Sequence, residues 1–526
     1  MDKIEVGNFA TTMSPLAIGA ALGVVVMSYI IWQYFSTLQL DPREPPVLKP
    51  SVPFIGHIVG LLRHRIDYLE IVRQKSNRPI TTLPMLTGKV YMISSPSLIQ
   101  AALRNRNLTF DVFGIEFAQR VFGLKDSTID VFRGDSDIEH SPTHEVMSVI
   151  KTAMTGQPLY RMNVAALAYV GSIVNEIKED KPLAVENVYL WLRDLMTMAT
   201  AEAIYGHHNP LREDLTLIDA LWGFEGNMQP LFLGFLPSVI ARPAVANRNR
   251  FQDALIKYYR NRYEDGEDVA EVTRVRSHVL RKHGLNDADE LARGEMGLIF
   301  VATTNTIPTL YWFFVNIWLR PELVEALREE TSLLVRRKGD NVKEATVDIS
   351  QLEENCPLLV SCYREAIRLG NQVMGNRRVL RDTVITDHEN DGRSYLLKEG
   401  TDVIWSAKAL HRAQGTWGED ASEFKPDRFL PKKEGEDDKK MKQHYIPFGG
   451  GKHLCPGRNF AFAENLGFMC AMLLGFEVEG LKQENVRVGW ARFGEGVAKP
   501  PEGFQGGSIT IRRREGWEDV KWGFVC

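Results

Sequence analysis

Cysteine is scarce in this 526-residue chain: its five cysteines are scattered, and no two of them form a C-x-x-C pair. This spacing argues against a zinc site, an iron–sulfur cluster or a secreted disulfide framework, so a reducing compartment is favoured. Neither sign of charge dominates, since 63 basic residues stand against 67 acidic ones and the formal net charge is −4. That balance argues against nucleic acid as a partner bound through bulk charge.

The sequence also has no internal repeat, no low-complexity tract and no second long linker after residue 57. A glycine-rich dinucleotide motif between a strand and a helix is missing as well, so any redox electrons are expected from a separate protein. Amphipathic helical stretches dominate residues 57–526, and strand-like runs are short. The sequence therefore predicts one large domain that is mainly α with small β-sheets.

Charged residues are missing from Val6 to Leu40, and the apolar stretch from Pro15 to Phe35 is long enough to span a bilayer. A cleavable signal peptide is the alternative, but its apolar region is normally shorter and its start more basic. We predict an uncleaved membrane anchor in residues 1–40. Basic residues just after it favour a single-pass protein whose remaining chain lies on the cytoplasmic face of the endoplasmic reticulum membrane.

A proline-rich hinge is predicted next, because residues 41–56 contain five prolines. Such a composition resists helix formation and favours extended, semi-rigid backbone. Domain organisation is thus predicted as the anchor 1–40, the hinge 41–56 and a catalytic domain 57–526.

The stretch FGGGKHLCPG, residues 448–457, places Cys455 among four glycines. A cysteine thiolate can bind metal, attack a substrate or ligate haem iron, and a small buried structural cysteine is the plain alternative. Glycines allow backbone amides to approach the sulfur, and the helix that follows Arg458 points its positive end toward it. Phe448 can pack on a flat macrocycle, and His453 can reach a propionate.

The pattern F-x-x-G-x-H-x-C-x-G resembles the haem-thiolate motif of the cytochrome P450 family. The resemblance implies the helical P450 fold, haem b as cofactor and Cys455 as the ligand of its iron. It also implies that Phe448, Gly451, His453 and Gly457 surround the cofactor.

Other landmarks of that family follow the expected order along the chain. CYREAIRL supplies Glu365 and Arg368, and FKPDRF supplies Arg428, which the resemblance joins into a buried structural network. Arg377 stands where relatives bind a haem propionate, with Arg378 as its close competitor. The Trp-x-x-x-Arg of many relatives is missing between residues 100 and 160, and Lys151 and His144 are the candidate replacements.

The apolar stretch 295–319 resembles the family's distal helix, which crosses the haem. Its centre carries Ala302, Asn305 and Thr306, with Thr303 in place of the usual glycine and Asn305 in place of the usual carboxylate. Pro308 cannot donate to the carbonyl of Thr304, so a kink is expected there. The resemblance implies that Ala302 contacts the cofactor and that Thr306 and Asn305 serve oxygen activation.

The Asn-Thr-Ile-Pro form of this centre resembles the branch that contains steroid 7α- and 12α-hydroxylases and prostacyclin synthase. We therefore predict a membrane-anchored monooxygenase that uses O2 and a lipophilic substrate, a steroid or terpenoid, as in fungal natural-product tailoring. Electrons are expected from an NADPH-dependent flavin reductase, with cytochrome b5 as a second candidate donor. A haem-thiolate isomerase or dehydratase that needs no reductase, and a non-enzymatic haem-binding membrane protein, are the alternatives.

Three further expectations concern partners and substrate. A docking face for the reductase is expected near the cysteine loop, from Lys439, Lys440, Lys442, Lys452 and Arg458. Residues 223–243 are apolar and broken by proline, which favours a substrate entrance that dips into the membrane, with ordinary core packing as the alternative. Val497 and Ala498 are expected to face the substrate.

Overall fold

A computed structural model describes residues 19–20, 22–29, 40–52, 55–134, 141–234, 236–337, 344–389, 392–431, 435–490, 492 and 494–526. Most of the predicted anchor lies outside the described residues; 19–20 and 22–29 are helical, and the side chains of 22–29 are exposed. The hinge begins with a turn, in which the Glu44 N–H donates to the Asp41 carbonyl over 2.8 Å. It then lies along the sheet that follows, where the Leu48 N–H donates to the Thr82 carbonyl over 3.0 Å.

Helices form most of the described chain, which confirms the predicted fold class. The α-helices are Ile58–His64, Asp67–Ser76, Pro96–Arg104, Asp111–Phe117, Asp126–Arg133, Pro142–Ala153, Gly156–Val174, Val188–Tyr205, Pro210–Glu213, Leu217–Asn227, Pro237–Ile240, Arg242–Arg260, Glu271–Lys282, Ala288–Thr303, Thr306–Trp318, Pro321–Ser332, Leu352–Asn355, Pro357–Gly370, Ala407–His411, Gln414–Trp417, Glu436–His444 and Arg458–Gly475. One π-helical turn, Ala118–Phe122, continues the helix Asp111–Phe117.

The strands are short and form small sheets at the edge of the helical body. They are β1 Ile80–Pro84, β2 Lys89–Ile93, β3 Leu108–Thr109, β4 Leu183–Val185, β5 Val335–Arg337, β6 Glu344–Asp348, β7 Met374–Val379, β8 Thr383–Thr386, β9 Ser394–Leu397, β10 Asp402–Ser406, β11 Phe476–Glu479, β12 Ile509–Arg513 and β13 Lys521–Val525. The largest sheet has the order β1-β2-β10-β7-β3, and its registers pair Arg377 with Val403 and Arg378 with Asp402.

Two helical stretches pass through the core and carry the residues of interest. The cysteine helix, Arg458–Gly475, is buried continuously from Ala463 to Gly475. The distal helix pair, Ala288–Thr303 and Thr306–Trp318, is the one stretch in the described chain long and apolar enough to cross a membrane. Because 78% of its apolar window is buried inside the protein, we assign it to the core.

A buried ion network links the helix Pro357–Gly370 to the chain segment that precedes the cysteine loop. Arg368 donates to both carboxylate oxygens of Glu365 over 2.7 and 2.8 Å, and Arg428 Nε donates to one of them over 2.9 Å. Glu365 and Arg368 are fully buried. The remaining guanidinium N–H groups donate to backbone carbonyls, among them those of Ala421 and Trp417, so the burial of these charges is compensated.

We expect Arg428→Met to lower the free energy of unfolding by about 3 kcal/mol or more, because it leaves the Glu365 carboxylate buried with one charged partner fewer. Urea titration followed by circular dichroism measures the change. The control is Arg364→Met on the same helix, whose partner Glu353 is 68% exposed, and it should cost less than about 1 kcal/mol. Equal losses in the two variants would contradict a structural role for the network.

Candidate active site

The cysteine loop, residues 448–457, is bent by glycines at two positions of positive φ. Gly449 has φ 72° and Gly451 has φ 61°, a region that disfavours other residues. At Gly451 a Cβ atom would stand 1.9 Å from the carbonyl oxygen of Leu103, so a side chain there would collide with fixed backbone. The Cys455 N–H donates to the Phe448 carbonyl over 3.0 Å and closes the loop.

The Cys455 sulfur lies just before the start of the cysteine helix, close to the backbone N–H groups of Gly457 and Arg458. Burial raises the pKa of the Cys455 thiol, while the N–H groups of Gly457 and Arg458 oppose that rise. Such donors, together with the helix dipole, stabilise a thiolate and tune it as a ligand. The loop thus provides what a buried anionic sulfur requires.

Phe448 and His453 flank the cysteine on the loop. Phe448 packs against the main core. His453 Nε2 accepts from the Phe110 N–H over 3.2 Å, and its Nδ1 lies 3.5 Å from Asp111 Oδ1. Burial lowers the pKa of His453 to about 3, with help from the charge of Arg377, so its ring is neutral. Its propionate contact stays a prediction, since both ring nitrogens already face protein atoms.

Arg377 and Arg378 differ in environment because neighbouring strand residues point to opposite faces of a sheet. Arg378 pairs with Asp402 and with Glu116. Arg377 points inward and is 5% exposed. Its Nη1 donates to the Asn376 carbonyl over 2.7 Å, and its buried Nε has no hydrogen-bond partner among the described residues. Burial lowers the pKa of Arg377 to about 10.

These residues fit the cofactor that the sequence predicts. A buried guanidinium with an unsatisfied donor is costly unless an anion completes it, and a haem propionate supplies such an anion. Of the two competing arginines, Arg377 is therefore the one suited to hold the propionate. Lys151 donates to the Lys452 carbonyl on the cysteine loop over 2.8 Å. The charges of Lys151 and His144 both act on His453, so both candidate replacements lie near this loop.

The distal helix pair is interrupted at Thr304 and Asn305, where the sequence predicts a kink. Pro308 offers no N–H to the Thr304 carbonyl, and helix resumes at Thr306. Thr309 stabilises the second segment, since its hydroxyl donates to the Asn305 carbonyl over 2.8 Å. Thr303 donates to the Ile299 carbonyl over 2.8 Å, so this residue, which replaces a family glycine, satisfies backbone instead of facing a ligand.

One face of the interrupted helix is open, although the helix crosses the core. Val301 is 61% exposed, Asn305 is exposed, and Ala302 and Thr306 are half-buried. Val301 and Asn305 are four residues apart, as are Ala302 and Thr306, so the four share a face. The predicted oxygen-activation residues therefore lie on an accessible face of the helix break.

A wall of phenylalanines, which the sequence did not predict, packs against the distal helix through Phe300, on the side away from this face. Phe122, Phe224 and Phe300 are core residues, and Phe117 and Phe232 are half-buried. Its ring centroids are 5.3 to 6.2 Å apart, and its members are Phe117, Phe122, Phe224, Phe232 and Phe300. The signal in the sequence was the repeated phenylalanine of residues 110–122. Only the fold brings that segment to the distal helix and the helix Leu217–Asn227.

The residues expected at the substrate entrance and pocket differ in exposure. Within 223–243, Leu236, Val239 and Ile240 are exposed, whereas Phe224 and Leu231 are core residues. Val497 and Ala498 are 6% and 1% exposed and pack against the end of the helix Pro357–Gly370.

On the cysteine side, Lys440 and Lys452 donate to backbone carbonyls, Lys442 pairs with Asp438, and Arg458 donates to the Cys455 carbonyl. Lys439 is exposed. These contacts leave the docking face a prediction.

Comparisons with known proteins all point to one family. The model of the family described as cytochrome P450 matches residues 45–505. A cytochrome P450 monooxygenase of Gibberella zeae is 38% identical over 522 residues, which cover 97% of this chain and 96% of that protein. A cholesterol 7-alpha-monooxygenase of Cricetulus griseus is 22% identical over 90% of this chain and 95% of its own. Since these matches span nearly the whole chain, the protein belongs to the cytochrome P450 family and is a monooxygenase that oxidises an organic substrate.

Proposed function

We propose that the protein is a membrane-anchored monooxygenase that hydroxylates a lipophilic steroid or terpenoid. The observation that carries this proposal is the apolar character around the helix break. Val301 is 61% exposed there, and the half-buried Phe232, which packs on Phe117, lies against Gly494 of the turn that contacts Asn305. These side chains offer no hydrogen-bond donor or acceptor, so a hydrocarbon skeleton gains by leaving water for them, and a polar molecule does not. The relative named as a cholesterol 7-alpha-monooxygenase supports the same substrate class.

The family implies a haem-thiolate cofactor, and the cysteine loop and Arg377 fit it. Cys455 would ligate the iron, and Arg377 would hold a propionate. When bound, haem supplies the iron at which O2 is activated for transfer of one oxygen atom to the substrate. The backbone N–H groups of Gly457 and Arg458 would stabilise the negative charge of the sulfur, since they oppose the rise of the Cys455 pKa on burial.

The distal residues position the substrate and deliver protons. The apolar side chains around the helix break bind the skeleton and exclude water from it. Thr306 carries a hydroxyl at Oγ1 at the restart of the helix, where it can pass a proton toward the accessible face of the break. Asn305 adds an exposed amide one residue earlier. These roles are proposed from position, because the interrupted helix brings both side chains to the open face.

Electrons would come from NADPH through a flavin reductase that docks near the cysteine loop, with the chain held at the endoplasmic reticulum by its apolar N-terminal stretch. The exposed apolar residues Leu236, Val239 and Ile240 support an entrance that faces the bilayer. Monooxygenase relatives favour this function over a peroxide isomerase or a non-enzymatic haem protein.

The cofactor assignment predicts the absorption spectrum of the reduced protein under carbon monoxide. A strongly red-shifted Soret band is expected, because a thiolate ligand donates electron density to the iron. Cys455→Ala should abolish the band. Cys470→Ala is the control on the same helix and should retain it, since Cys470 is wholly buried away from the loop. A red-shifted band that persists in the Cys455→Ala variant would contradict the assignment of Cys455 as the iron ligand.

Arg377→Leu is expected to speed the loss of haem to excess apomyoglobin by about 10- to 100-fold, because a charged hydrogen bond of roughly 1.5–3 kcal/mol disappears. Arg378→Leu should have a smaller effect, since its partners are Asp402 and Glu116. The rate of haem transfer measures both. Faster loss from the Arg378 variant would reassign the propionate contact.

The substrate proposal is tested with the purified protein, a flavin reductase and NADPH against matched panels of sterols, cyclic terpenes and polar aromatic compounds. Addition of one oxygen atom to sterols or terpenes, detected by mass spectrometry, is the expected result. Thr306→Ala should lower the ratio of product to NADPH consumed and raise released hydrogen peroxide, since proton delivery fails. Turnover restricted to the polar compounds would overturn the proposal.

A further inference from the structure

The turn Gly494–Lys499 lies between the distal helix break and the helix Leu217–Asn227, and the proposed mechanism gives it no role. Its backbone is fixed at three points. The Gln372 N–H donates to the Gly496 carbonyl over 2.8 Å, the Ala498 N–H donates to the Gly370 carbonyl over 2.8 Å, and Trp312 Nε1 donates to the Ala498 carbonyl over 2.6 Å.

A charged pair fixes the far end of the same turn. Lys499 bonds to Glu225 on the helix Leu217–Asn227, and its ammonium lies 5.6 Å from the ring centroid of Trp222. Glu495 is 3.7 Å from the same ammonium. Glu225 and Glu495 are buried, so separating them from Lys499 would leave uncompensated charge. The turn is therefore attached to sequence-distant elements on both sides.

Between these attachments, Gly496 lies directly against the side chain of Asn305. A Cβ atom at residue 496 would stand 2.5 Å from Asn305 Oδ1 and 3.1 Å from its Cγ. The φ of Gly496 lies outside the left-handed region, so alanine fits the backbone there. Glycine at this position is therefore required by the space that the Asn305 amide occupies, and not by the backbone conformation.

We infer that Gly496 is a positioning residue for Asn305. The anchored turn Gly494–Lys499, called the wedge below, has no side chain at residue 496, and the space this leaves sets the orientation of the Asn305 amide at the helix break. Any collision moves the amide, because the turn is fixed and the amide is the end of an exposed side chain. No described residue hydrogen-bonds that amide, so its direction depends on this contact. The inference rests on the proposed haem site, toward which the amide would present its N–H.

The test uses carbon monoxide bound to the reduced holoprotein as its probe. An N–H directed at the bound ligand lowers the C–O stretching frequency, which infrared spectroscopy measures directly. Gly496→Ala should shift this frequency in the same direction as Asn305→Ala. Gly226→Ala is the control, because a Cβ there meets only Arg492 Nη1, at 4.0 Å, and it should leave the frequency unchanged.

A double variant decides whether the wedge acts through Asn305. In the Asn305→Ala background, Gly496→Ala should add no further shift, since the side chain it displaces is gone. An additional shift would overturn the inference, as would an unshifted Gly496→Ala or an unshifted Asn305→Ala. If Gly496→Ala fails to bind haem, Lys499→Met is read instead: a broadened C–O band is expected, and an unchanged narrow band overturns the inference.

The Soret band separates this inference from the function on which it rests. A red-shifted band in the unmodified protein with no change of the C–O frequency in Gly496→Ala would reject the wedge alone. A missing red-shifted band in the unmodified protein would reject the haem-thiolate site itself.

Discussion

The buried carboxylate of Glu365 is the interaction on which the cysteine side of the molecule depends. Arg368 and Arg428 share it, and their other N–H groups satisfy carbonyls of the segment 411–423. The same segment also fixes the backbone just before the cysteine loop, because His411 Nε2 accepts from the Ile446 N–H over 3.1 Å. Burial lowers the pKa of His411 to about 3, so its ring stays a neutral acceptor. The position of the Cys455 sulfur thus depends, through these hydrogen bonds, on the buried carboxylate of Glu365.

The cysteine side and the distal side of the candidate site differ in backbone structure. On the cysteine side, a tight loop with closed backbone bonds fixes an atom that must not move, and glycines are required because neighbouring backbone leaves no space. On the distal side, the helix gives up regular bonds at Thr304, and side chains such as Thr309 compensate. Backbone hydrogen bonds make the loop rigid where Cys455 is proposed to bind the cofactor, and the interrupted helix leaves an accessible face where the substrate is proposed to bind.

The sequence predicted what local pattern determines and missed what distant packing determines. Fold class, the cysteine loop and the kink at Pro308 follow from residues adjacent in the chain. The choice between Arg377 and Arg378 needed the strand's inward face, and the phenylalanine wall needed three segments to meet. Val497 and Ala498 are buried against the end of the helix Pro357–Gly370, because backbone bonds hold the turn to Gly370 and Gln372. Their contact with the substrate stays a prediction.

Glu464 makes the stability of the cysteine helix depend on pH between mildly acidic and weakly basic conditions. Its side chain is wholly buried, with Thr200 donating to one oxygen over 2.9 Å, and burial raises the pKa of Glu464 to about 8. The folded protein keeps this carboxyl protonated while the unfolded chain releases the proton above its ordinary pKa of 4.5. Stability contributed by the neutral carboxyl is therefore full in acid and falls as the pH rises from about 4.5 to about 8. The neutral Glu464 carboxyl thus stabilises the helix that presents the sulfur more at pH 4 than at pH 8.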